Sequence, residues 1–86
     1  MSIQQILSER QATHGDFADH AQTTQLLKTV MHSQSGWTRL NAMQRESLDM
    51  IAHKIGRILA GNPNHVDHWL DCSGYATLIV RALDGE

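Results

Sequence analysis

Apolar residues recur along this chain at helical spacing, and the clearest run is Leu48, Ile51, Ala52, Ile55, Ile58 and Leu59. Intervals of i, i+3, i+4, i+7, i+10 and i+11 put all six on one face of a helix. Asn41 and Gln44 ahead of the run have capping-box spacing, and Gly61 after it supplies a C-terminal stop. Ser2 and Gln5 repeat the capping box at the start of the chain, where Ile3, Ile6 and Leu7 make a short stripe that ends near His14-Gly15. Asp16 is an N-cap for a second helix reaching about His32, with Phe17, Ala21, Thr24, Leu27 and Met31 on its inner face. Ser33-Gln34-Ser35-Gly36 reads as a polar loop pinned to the core by Trp37 and Leu40. Asn62-Pro63 opens a fourth helix, with a cap and a first-turn proline, running to about Leu83. The expectation is all-α: one domain over residues 1–86, a compact bundle of about four helices.

The fourth helix carries apolar residues on two sides. Val66, Trp69, Leu70, Ser73, Thr77 and Val80 share one, while Tyr75, Leu78 and Ile79 lie on the other. A chain of 86 residues buries only about 60–65% of its unfolded surface by itself. The second side therefore predicts a homodimer or larger symmetric oligomer.

Composition narrows the function classes. Seven Lys plus Arg against nine Asp plus Glu give a formal charge of −2, which argues against a grip on nucleic acid through its phosphates. No apolar run approaches the roughly 18 residues of a membrane span, and no signal peptide is recognisable. The single cysteine, Cys72, excludes an internal disulfide framework and points to a reducing cytoplasm.

Several polar groupings could carry chemistry. Glu46, Asp49, His53 and Arg57 form a row on the third helix opposite its apolar stripe. The row is either a solvated face with weak pairs, or a site where Glu46 and Asp49 hold a divalent cation while Lys54 or Arg57 meets a phosphate. Asp67 near the start of the fourth helix suits the helix dipole, whereas Asp71 lies past the first turn and needs a partner, either a cation from Lys54 or Arg57 or a metal. Six histidines invite a zinc reading through His65, His68 and Cys72, but no paired-ligand motif supports it. Cys72 reads as a packed residue and not a nucleophile. Thr13-His14-Gly15-Asp16-Phe17 is a turn, cap and staple that could also offer His14 and backbone N–H groups to an anion, with Arg10 one turn earlier.

Together, Glu9-Arg10, Thr13-His14-Gly15-Asp16-Phe17, His53-Lys54-Ile55-Gly56-Arg57 and Asp67-x-x-x-Asp71-x-x-Gly74-Tyr75-Ala76 resemble a small phage and prophage family of unknown function. The resemblance spans nearly the whole chain and implies a phage origin and an all-helical fold. At longer range the pattern is similar to the all-α nucleoside triphosphate pyrophosphohydrolases of the MazG and dimeric dUTPase type. Those hold Mg²⁺ on an E-x-x-E pair and a following E-x-x-D pair. Glu46, Asp49 and Asp71 match those positions, but His68 stands where a carboxylate is required.

The reading that follows is a helical oligomer in the host cytoplasm that binds a phosphorylated nucleotide-like ligand, with sequestration of a host-defence nucleotide signal as its role. Its contacts would be Arg10, His14, Asp16, Lys54, Arg57, Asp71 and Tyr75. Two alternatives stand beside it: a Mg²⁺-dependent pyrophosphohydrolase and an inhibitor that docks on a host protein.

Overall fold

A computed structural model describes residues 2–85 and is all-helical, as the periodicity predicts. Four α-helices follow one another: α1 (Ile3–His14), α2 (Phe17–Ser33), α3 (Ala42–Ala60) and α4 (Val66–Leu83). Both capping boxes form, Ser2 with Gln5 and Asn41 with Gln44. The Asp16 carboxylate accepts from the Ala18 N–H and starts α2. The expected polar loop is instead a short 3-10 helix, Ser35–Arg39. Trp37 stacks there on His32, ring centroids 4.3 Å apart.

The fourth helix begins three residues later than its cap-and-proline signal suggests. Asn62 spends its side chain accepting from the Asn64 N–H, which closes a turn, and its own N–H donates to the Thr13 carbonyl. Pro63 therefore lies in the turn, where its carbonyl accepts from the Trp69 indole. His65 becomes the N-cap, without a side-chain capping bond. Gly61 ends α3 at φ −117°, outside the left-handed region. A side chain there would strike the backbone of Thr13, His14 and Gly15.

Helix α3 is the spine, packed between α2 and α4. Asp49 and Gly56 face α2, where Asp49 pairs with His32 and Gly56 meets Thr24 and His20. Ser47 and Lys54 face α4, with the Ser47 hydroxyl donating to the Tyr75 carbonyl and the Lys54 ammonium paired with Asp71. At 100° per residue these flanks lie on nearly opposite sides of α3. Two faces remain: one carries Glu46, His53 and Arg57, the other Leu48, Ile55 and Leu59.

Three of the six residues in the apolar stripe of α3, Leu48, Ile55 and Leu59, are exposed. Ala52 is the only fully buried apolar residue among those described, and the other buried side chains are polar: His20, Thr24, Ser47, Lys54 and His68. Phe17 likewise does not staple into a core and is exposed. Helix α1 buries none of its residues and rests on α2 and α3. On α4 the inner face is His68, Cys72, Tyr75 and Ile79, leaving Val66, Trp69, Leu70 and Val80 exposed.

Gly56 and Gly74 provide opposite tests of this packing. An added Cβ at Gly56 would lie 2.7 Å from His20 Cδ2 and closer still to the Thr24 hydroxyl, whereas at Gly74 it would meet nothing within 4 Å. Gly56→Ala should destabilise the fold by about 1–3 kcal/mol through overpacking. Gly74→Ala should stabilise it by about 0.5–1 kcal/mol through helix propensity. Urea unfolding of both variants checks the pair.

Candidate functional site

On the polar side of α3, a cavity of about 360 Å³ opens between α1, the turn after it, and the facing sides of α2 and α3. Its walls are Leu7, Arg10 and Gln11 from α1, His14, Gly15 and Asp16 from the turn, Phe17 and His20 from α2, and His53 and Arg57 from α3. The turn owes its path to Gly15, whose φ of +82° is unfavourable for other residues and whose Cα lies against the Ala60 carbonyl. The His53 and Arg57 side chains are one turn apart on α3 and so share a wall.

Two guanidinium groups, from Arg10 and Arg57, face this cavity. Arg57 Nε is buried without a hydrogen-bond partner among the described residues, and so is His20 Nε2. The His20 ring sits edge-on to His53 at 4.6 Å and to Phe17 at 5.9 Å between centroids. At the inner end, His68, 2% exposed, directs Nε2 to the Thr13 carbonyl at 3.3 Å and to His14 Nδ1 at 3.4 Å. His68 therefore carries its proton on Nε2 and donates it to Thr13.

The electrostatics follow from burial beside a fixed cation. His14 is pushed down to about 4, first by burial and then by the Arg57 charge. His53 is pushed down to about 4 by the same two causes in the same order. His20 and His68 are also lowered, burial again leading; hydrogen bonds to the His53 and Thr13 backbone oppose the shift. These imidazoles are neutral at pH 7, so the positive charge at the cavity belongs to the arginines.

The residues singled out by sequence divide between two places. Arg10, His14, Asp16 and Arg57 come together at the cavity. Lys54, Asp71 and Tyr75 belong to the junction of α3 and α4. The Lys54 ammonium is 2.9 Å from Asp71, and that pairing holds the Asp71 carboxyl below the usual carboxylate range. Lys54 is buried and occupied there, so it is not a free phosphate contact.

Glu46, Asp49 and Asp71 do not assemble into a cation site. Asp49 turns toward α2, where His32 Nε2 meets it at 2.7 Å; Glu46 lies over a groove with Tyr75 and Leu78; Asp71 is held by Lys54. The Mg²⁺ set implied by the pyrophosphohydrolase resemblance therefore does not fit the side chains present. The rings of His14, His65 and His68 cluster within 6.5 Å of one another. Even so, no three His, Cys, Asp or Glu side chains among the described residues are placed to hold a metal ion. Burial pushes the Cys72 thiol up, consistent with a packed residue.

His20 was not anticipated as a site residue. Its sequence signal was Gly56, a mid-helix glycine on the partner helix, which marks a close approach without naming what approaches.

Residues 2–82 match a family described as a domain of unknown function (DUF6378). No curated protein and no solved structure matches the chain.

The lowered histidines make stability pH-dependent. In the unfolded chain they titrate near 6.5, while His14 and His53 in the folded protein titrate near 4. The unfolded state therefore takes up protons first as pH falls, so stability is intact above pH 6.5 and is lost progressively toward pH 4. The thermal midpoint, followed by circular dichroism, should drop by roughly 5 °C or more across that window, the shift expected for about 1 kcal/mol in a domain this size. His53→Gln should flatten the dependence.

Proposed function

The chain belongs to the DUF6378 family, and we propose that it binds a phosphorylated nucleotide-like ligand in the cavity between α1, α2 and α3. One observation carries the reading: two arginines, Arg10 and Arg57, line one cavity together with the rings of His14, His20 and His53. Guanidinium groups suit phosphate because their planar donors match its oxygens two at a time.

The rest of the lining suits the remainder of a nucleotide. Leu7 and Phe17 offer apolar surface and the neutral imidazoles of His20 and His53 offer ring faces and edges, both suited to a base. Asp16 repels phosphate but accepts from a ribose hydroxyl or a base N–H. A volume of about 360 Å³ falls within the usual range for small-molecule sites. The reading is of a ligand held unaltered, as sequestration of a nucleotide signal requires.

Native mass spectrometry after incubation with nucleotides and cyclic nucleotides tests this directly. Retention of unaltered ligand supports it, conversion with Mg²⁺ replaces binding by hydrolysis, and an empty protein overturns it. Arg57→Ala and Arg10→Ala should each weaken affinity by about tenfold or more, one charge-assisted contact being worth about 1.5–3 kcal/mol. Lys54→Met, away from the cavity, should leave affinity within a few-fold.

Binding should also take up protons. A phosphate beside His14 and His53 offsets the Arg57 charge and raises both histidines from their values of about 4. The uptake therefore grows as pH is lowered from 7 toward 5, where the bound form takes its protons before the free form does. Calorimetry in buffers of different ionisation enthalpy should show net proton uptake.

A further inference from the structure

We propose that a second copy of this chain covers the apolar face of α3 and α4, on the side of α3 away from the arginine–histidine cavity. On α3 that face presents Leu48, Ile55 and Leu59, all exposed. On α4 the helical spacing adds Trp69, Ala76, Val80 and Leu83, exposed as well. Between the two helices runs an apolar groove of about 280 Å³, with Leu48 and Ile51 on one wall and Ala76 and Ile79 on the other. No charged residue lines it.

The surface arithmetic gives the size of the missing cover. Folded monomers of 9.6 kDa expose about 5,100 Å² by the usual scaling with mass. This chain exposes 6099 Å². The excess of about 1,000 Å² matches what one partner contributes to a stable protein–protein interface, about 800 Å² or somewhat more. The radius of gyration, 14.7 Å, likewise exceeds the roughly 12 Å of a self-contained domain of this length.

The occupant is a second copy for two reasons. With Ala52 alone fully buried among its described apolar residues, the chain needs cover as soon as it folds, and its own copies are always present at the same concentration. The face also bears no charge that would select a partner of opposite sign. Under a two-fold axis the large Leu48 and Trp69 can enter the other copy's groove beside the small Ala76 and Ser73. Trp69 is already fixed for this role, its indole held by the Pro63 carbonyl at 2.8 Å while the residue stays 56% exposed. The two cavities then face outward, each complete within one chain.

The proposal does not rest on the ligand reading, and its test uses the full chain without ligand. Sedimentation velocity should return twice the 9.6 kDa chain mass. In a Trp37→Phe variant, which leaves Trp69 as the sole tryptophan, emission should be blue-shifted and shielded from acrylamide, and it should turn red on dilution. Ile55→Glu should raise the dissociation constant at least tenfold, whereas Leu70→Glu, on the other exposed side of α4, should not. A species at the single-chain mass at every concentration, with Trp69 freely quenched, overturns the proposal. A dimer that withstands Ile55→Glu and fails with Leu70→Glu overturns the choice of face. If Ile55→Glu does not fold, the mass and quenching of the Trp37→Phe protein still decide.

Discussion

Gly56 lets α2 settle onto bare helix backbone, and most of what is distinctive in this protein follows from that separation. Thr24 and His20 occupy the volume a side chain would have taken. His20 is thereby pressed edge-on against His53, one turn before Arg57. The cavity floor is thus a by-product of helix packing. The same contact leaves His20 Nε2 and Thr24 Oγ1 without partners among the described residues, so the packing gains its closeness by leaving polar groups unsatisfied.

The other flank of α3 is polar too. Lys54 reaches Asp71 from a position 8% exposed, and Ser47 donates to a backbone carbonyl of α4. Ion pairs of this kind contribute little net stability once desolvation is counted, but they fix how two helices align. With both flanks given to small and polar residues, half of the apolar stripe of α3, Leu48, Ile55 and Leu59, stays exposed. The chain is therefore built on two opposite surfaces of one helix, a polar one beneath α1 and an apolar one left open.

Local signals along the chain account for the helices. The capping boxes at Ser2 and Asn41 and the cap at Asp16 act over three or four residues, and they hold in the structure. What failed depended on partners distant in sequence. The α3 stripe is clean, but periodicity says that a face is apolar and not what covers it. Asn62 and Pro63 carry a good start signal that is overridden by a hydrogen bond to Thr13, forty-nine residues earlier in the chain. The site was half legible. Arg10, His14, Asp16 and Arg57 converge, whereas Lys54 and Asp71 satisfy each other, an outcome that needs the α3–α4 register to foresee.

The Thr13 carbonyl accepts both from the Asn62 N–H at 3.0 Å and from His68 Nε2 at 3.3 Å. It ties the last turn of α1 to the loop between α3 and α4, while no residue of α1 is buried. One wall of the cavity is thus positioned from its His14 end, where a single carbonyl is shared between a loop N–H and a buried histidine, so Thr13 and His68 set where Arg10 and Leu7 stand over α3.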